Sequence, residues 1–189
     1  MEDYFEEQAF NGVNFTEQRL KKGEYNRCQF TNCLFSGVDL SYLVFSECVF
    51  ENCDLSNARL NSTSWKEVQF NECKLLGLIF SDSNPFLMAM NFRGCQLNFS
   101  SFYQLNLKGS QFQQCSLHEV DFTETNLTGA SFHQSDLSGA IFEQTILEKA
   151  DFRAAQNYSI DPALNKLKKA RFSMPDVVGL LYKLDIQIT

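Results

Sequence analysis

Large apolar residues return at every fifth position along most of this chain. Over residues 28–55, CQFTNCLFSGVDLSYLVFSECVFENCDL, they are Phe30, Phe35, Leu40, Phe45, Phe50 and Leu55. Two places before each stands Cys28, Cys33, Val38, Leu43, Cys48 or Cys53. A helix repeats every 3.6 residues and a strand every 2.0, so neither yields a period of five. A strict short repeat predicts a solenoid. The pattern starts at Phe5 and runs through Phe80 without a miss. It breaks at Pro85, resumes two residues out of phase at Leu87, Phe92, Leu97 and Phe102, and continues to Phe152.

We term the large position i. The i−2 position takes Cys, Ser, Ala, Thr or Val. Asp or Asn often precedes i, and Ser or Thr often follows, as in Asp39-Leu40-Ser41 and Asp136-Leu137-Ser138. Such residues suit corners, because their side chains bond their own backbone.

The units CDLSN (53–57), TNLTG (125–129), SDLSG (135–139) and ADFRA (150–154) resemble the A(D/N)LXX consensus of pentapeptide-repeat proteins. The resemblance covers about residues 5–154. It implies an all-β solenoid: a right-handed quadrilateral parallel β-helix with four units per coil and i and i−2 pointing inward. Stacking every fourth unit then sorts the large residues into columns. One is Phe throughout: Phe10, Phe30, Phe50, Phe70, Phe92, Phe112, Phe132 and Phe152. A second runs Phe15, Phe35, Leu55, Leu75 to Leu137, and a third Leu20, Leu40, Leu60, Phe80 to Phe142. The fourth reads Phe5, Tyr25, Phe45, Trp65, Leu87, Leu107, Leu127 and Leu147. Seven to eight coils at about 4.8 Å per strand make a rod roughly 36 Å long. The expected organisation is a β-helix over 1–155, with a short bulge at 81–86, and a cap over 156–189.

All seven cysteines (Cys28, Cys33, Cys48, Cys53, Cys73, Cys95 and Cys115) occupy i−2. They read as small buried hydrophobes. Coils about 4.8 Å apart exceed the usual disulfide Cβ separation of about 3.8 Å. The odd count, with no signal-like N-terminus, points to a reducing cytoplasm. No His stands at a ligand spacing, so no metal and no cofactor are expected. No phosphate loop, GxSxG elbow or HExxH occurs, and a filled interior leaves no substrate cleft; no enzyme is expected. No apolar run reaches the 18 residues of a membrane span.

Around the break, Leu76, Ile79, Phe86, Phe99 and Tyr103 fall at outward positions and are assigned to one side of the rod. They form either a partner-binding patch or a surface buried by the bulge itself. The tail after Ala154 predicts a short helical turn from Asp161 to Leu167. It also predicts a helix over 174–184, with Ser173 as N-cap and Pro175 in the first turn. Its apolar residues cover about 200°, whereas one core needs about 100°. One side closes the rod, since terminal solenoid units must be capped. The other pairs with a second copy through Val178, Leu181, Tyr182, Ile186 and Ile188. Residues 185–188 alternate like a short closing strand. The tail is similar to the region through which quinolone-resistance members dimerise, which implies a C-to-C homodimer.

The quinolone-resistance and microcin-immunity members of the family bind DNA gyrase or topoisomerase IV and are described as duplex-DNA mimics. The resemblance therefore implies a type II topoisomerase as partner; a generic protein-interaction scaffold using the 76–103 side is the alternative. The chain carries a net charge of −7. Residues 28–148 hold thirteen acids against five bases, and residues 149–189 are +3. Six coils span roughly 29 Å, over which duplex DNA carries about 17 charges, so the rod has under half that density. Its acids are spread over all four sides. The plasmid-type members have two protruding loops, whereas this chain has only the short break. Net charge and the lack of a basic groove disfavour direct nucleic-acid binding.

Overall fold

Parallel pairings join residues twenty positions apart before the break, as in Tyr25↔Phe45 and Phe50↔Phe70. Across it they join residues twenty-two apart, as in Phe70↔Phe92, and then twenty again, as in Phe92↔Phe112. Twenty residues are four pentads, so one coil has four units. The computed structural model describes residues 3–184, 186 and 187. It is a right-handed parallel β-solenoid.

Regular strand lies on two adjoining sides. One sheet stacks β1 (Asp3–Glu6), β3 (Gly23–Asn26), β5 (Val44–Ser46) and β7 (Ser64–Lys66). The other stacks β2 (Ala9–Asn11), β4 (Gln29–Thr31), β6 (Val49–Glu51), β8 (Val68–Asn71), β9 (Met90–Arg93) and β10 (Phe112–Gln113). Elsewhere the coils meet through single bridges such as Asp39↔Arg59 and Ser101↔Asp121. Six levels thus carry regular strand. Pairing runs past Ala154, where the sequence pattern ends: Asp151 bridges Arg171, and Phe172 stacks on Phe152 at 5.2 Å.

The Phe column is continuous. Neighbouring rings from Phe10 to Phe152 stack with centroids 4.7–5.3 Å apart, within the range aromatic pairs prefer. Each also meets the adjoining column edge-on, as Phe50 does Trp65 at 6.1 Å.

The corners explain the residues around i. Where the chain turns, the second corner residue has positive φ, as at Asn57 (55°) and Glu124 (55°). The Asp or Asn at i−1 accepts the amide two residues on: Ser56 N–H to Asp54 Oδ1 at 3.0 Å, Thr123 N–H to Asp121 Oδ1 at 2.9 Å. The i−2 side chain has a second duty beyond filling space. It donates to the carbonyl of the large residue one coil earlier: Cys53 Sγ to Phe30 O at 3.2 Å, Thr63 Oγ1 to Leu40 O at 2.8 Å, Thr125 Oγ1 to Phe102 O at 2.8 Å. Cys, Ser and Thr share this slot because each is small and carries a donor.

Every cysteine is free and buried. Burial pushes the Cys28 and Cys33 thiols up, and Cys48 up to about 12. Since the thiolate is the nucleophile, such a rise lowers reactivity near neutral pH by about a thousandfold for Cys48. We expect negligible labelling by dithionitrobenzoate in the native protein at pH 8 and labelling of all seven thiols in denaturant. Fast native labelling of several would show that the interior breathes open.

Four expectations need correction. First, the extra residues enter later than the bulge expected at 81–86, overlapping it only at Pro85 and Phe86. Ser64↔Asn84 keeps the offset of twenty, Phe80–Asp82 forms a 3-10 turn, and the offset reaches twenty-two only at Val68↔Met90. The irregular stretch is therefore 85–89. Second, Leu87 does not continue the fourth column. It is 66% exposed at a corner with φ of 56°, and Pro85 holds the in-register slot. Trp65, fully buried below, turns its indole N–H to Ser83 Oγ at 3.2 Å.

Third, Leu20 is only half-buried, and no bridge joins its unit to the coil of Leu40 among the described residues. Glu17 N–H bonds Asn14 O at 3.3 Å in a local turn, where its counterpart Gly37 N–H bonds Ser56 O on the next coil, and residues 16–22 leave the stack. Fourth, the described residues of the tail hold no α-helix. Residues 161–165 form a turn, with Ala163 N–H on Asp161 Oδ1 at 2.8 Å. The segment expected as a helix is two 3-10 turns, Asp176–Leu180 and Tyr182–Leu184. Gly179 ties this segment to the last coil, its carbonyl accepting Ile160 N–H at 3.0 Å. Ile186 and Gln187 form no strand. Asp185 and Ile188, the rest of that expectation, lie outside the described residues.

Candidate functional site

Inward residues are spent on the core, so chemistry is left to the outside. The register of the turns places the five residues assigned to the patch. Leu76, half-buried, and Phe99, exposed, sit at one corner, which stacks Leu76-Gly77 against Asn98-Phe99. Ile79, 42% exposed, lies on the face that follows, bridging Ser101. Tyr103 stands at the next corner, 38% exposed, with its hydroxyl 3.5 Å from Glu124. These four share one face and its two edges.

Phe86 does not join them. It sits at the corner after, on the far edge of the next face, 66% exposed. The bulge buries none of the exposed four.

Two of the exposed aromatics have strained backbones. Phe99 (φ 63°) and Tyr42 (φ 65°, 71% exposed) take the left-handed corner position that elsewhere holds mostly Gly, Asn, Gln, Glu or Ser. A bulky side chain at positive φ is an outlier. Tyr42 was missed in the sequence; its signal was a large residue two places after i, where the corner wants a small or flexible one. Tyr42 precedes Tyr103 along one corner, three coils earlier.

Acids occupy several corners without forming a stripe. Glu47 and Glu67 share one corner; Glu51 and Glu72 another; Glu119 and Glu124 lie on the remaining two. Some are locally neutralised, as Glu7 is by Arg27 at 3.2 Å and Asp151 by Arg153 at 2.7 Å. Burial alone would raise Asp136, but hydrogen bonds from Asn157, Ser138 and His118 overcome it and hold the carboxyl at about 2. His118 meets Asp136 at 2.9 Å, and His133 is exposed on another corner. Among the described residues no His, Cys, Asp and Glu cluster could hold a metal ion, and no helix is long and apolar enough to cross a membrane.

At the far end, Val178 and Leu181 are half-buried, while Tyr182 (62%), Leu184 (54%), Ile186 (55%) and Met174 (83%) are exposed. The tail thus presents an uncovered apolar surface. Ile188 lies outside the described residues.

A filled solenoid whose only variable surfaces are its corners and faces defines a binding scaffold. The pentapeptide repeat region model matches residues 23–85 and 84–152, and the chain belongs to the pentapeptide-repeat family. Proteins of this structural class are generally non-enzymatic scaffolds. Two similar solved structures are trypsin-treated forms of QnrB1, a plasmid-mediated fluoroquinolone resistance protein. One is 15% identical with a TM-score of 0.71 and covers 99% of this chain and 92% of that one. The other is 17% identical with a TM-score of 0.64 and covers 99% and 100%. At this identity the likeness is one of fold. No curated protein sequence matches the chain.

Proposed function

We propose that the protein is a non-enzymatic binding protein of the quinolone-resistance or toxin-immunity type, which engages DNA gyrase or topoisomerase IV as a partial mimic of duplex DNA. The observation that carries this reading is a rod that matches QnrB1 over nearly the full length of both chains. The acidic body of the rod supports it: residues 28–148 hold thirteen acids against five bases. The face bounded by Phe99 and Tyr103 supplies apolar anchors beside Glu119 and Glu124. The seven reduced thiols suit a cytoplasmic protein. We assign residues 1–155 to the pentad-built rod and 156–189 to the capping segment, which completes the last coil through Arg171 and ends in an exposed apolar surface that pairs with a second copy.

The test is supercoiling by purified gyrase with ciprofloxacin. The wild-type chain should protect or inhibit at micromolar concentration, and Phe99→Ser with Tyr103→Ser should lose the effect while keeping the wild-type circular dichroism. If the wild-type chain has no effect, the topoisomerase reading falls. If the double variant keeps full effect, the contact lies on another side. A general protein-interaction scaffold is the second reading. It is favoured by the exposed aromatics held at strained corners, a feature that mimicry of a phosphate backbone does not require.

A further inference from the structure

The lifted loop 16–22 leaves a concavity on the first coils that the repeat alone would have closed. In register, Arg19 would stack at the outward position over Asp39, as Asp39 does over Arg59. The loop instead lifts away, and a cavity of about 410 Å³ opens between it and residues 36–39. Phe15, Leu20 and Val38 supply its apolar lining, and Arg19, Lys22 and Arg59 its cations.

The charge here is opposite to that of the molecule. Three cations face one carboxylate, in a chain of net charge −7. That carboxylate, Asp39, is committed: Oδ1 accepts Ser41 N–H at 3.0 Å, and Oδ2 lies 3.4 Å from Arg59. Lys22 gives one proton to Ser41 O and keeps two to donate. Arg19 makes no ion pair among the described residues.

We propose that this cavity binds a small organic anion, a phosphate monoester whose apolar group rests on Phe15, Leu20 and Val38. Arg19, Lys22 and Arg59 take the phosphate oxygens. Guanidinium groups match such an oxyanion bidentately, and the apolar floor selects against bare phosphate. The site lies on the same side of the rod as Phe99 and Tyr103, three coils nearer the N-terminus at Gly37, and the phosphate titration tests it separately from the topoisomerase reading.

The test is titration of the full chain, followed by amide chemical shifts, with phenyl phosphate, inorganic phosphate and phenol as probes. Phenyl phosphate should bind at about millimolar or better, shift the Gly37 and Val38 amides, and bind about tenfold more tightly than inorganic phosphate. Phenol should bind no better than inorganic phosphate. Arg19→Gln and Arg59→Gln should each weaken phenyl phosphate about tenfold. Both side chains are exposed, and unchanged spectra elsewhere will show that the variants fold. No binding, shifts confined to other regions, or affinity indifferent to both substitutions would overturn the proposal. Equal affinity for inorganic phosphate would overturn the role given to the apolar floor.

Discussion

Phe50→Ala should lower the stability of the rod by about 3–5 kcal/mol, the usual cost of deleting a fully buried ring. Phe50 is wholly buried between Phe30 at 4.7 Å and Phe70 at 5.2 Å, and Phe35, Phe45 and Trp65 meet it edge-on. The alanine leaves a hole that the coils above and below cannot fill, because their height is fixed by backbone pairing on both sides. The loss is a large part of the 5–15 kcal/mol that typically holds a domain folded. Guanidinium unfolding should show a lower midpoint. A smaller slope is also expected, because solenoid coils depend on nearest neighbours and can unravel locally. Phe99→Ala, an equal truncation at a 60% exposed corner, should change stability by no more than about 0.5 kcal/mol. Equal losses at the two positions would contradict the inward and outward assignment on which the fold reading stands.

Gly179→Leu should undock the tail. A Cβ on Gly179 would lie 2.3 Å from the Tyr158 carbonyl oxygen and 2.6 Å from its ring. Backbone cannot yield as a flexible side chain would. The segment must therefore move, at about 1–3 kcal/mol or more, and the Ile160 N–H to Gly179 O bond breaks with it. Tyr158 and Ile160, now buried, would then be exposed at the end of the last coil. Amide exchange should accelerate at Ile160 and across 176–184 while the Phe50 coil stays protected. Light scattering should show wild-type dimer and variant monomer at tens of micromolar. Unchanged exchange in the variant would remove the cap role. A monomeric wild type would remove the C-to-C dimer and leave the cap intact.

Much of this molecule was legible in five-residue spacing. Given the four-unit coil that the family resemblance implies, the Phe10-to-Phe152 column, the burial of all seven thiols and the turn chemistry of Asp54-Leu55-Ser56 follow from it, because each coil repeats the same local problem and accepts the same answer. The outer surface was less legible. Leu76, Ile79, Phe99 and Tyr103 were readable as outward from their place in the unit. Phe86 was assigned to the wrong face, because a phase shift in sequence does not say on which side of Pro85 the added residues enter.

The chain by itself determined what points inward. The period of five marks which residues recur, the family resemblance implies that i and i−2 turn inward, and that choice is local to each pentad. Tertiary structure decided what happens where the pentad fails. Residues 16–22 lift because Glu17 N–H bonds Asn14 O, where its counterpart Gly37 N–H bonds Ser56 O on the next coil. Leu87 turns outward because Pro85 keeps the register. The tail takes 3-10 turns held to the last coil by Ile160, nineteen residues before Gly179, whose carbonyl accepts its N–H. At residues 16–22 and in the tail the outcome turns on whether a group bonds a sequence neighbour or a residue of another coil, and only the assembled coil brings the distant partner within reach.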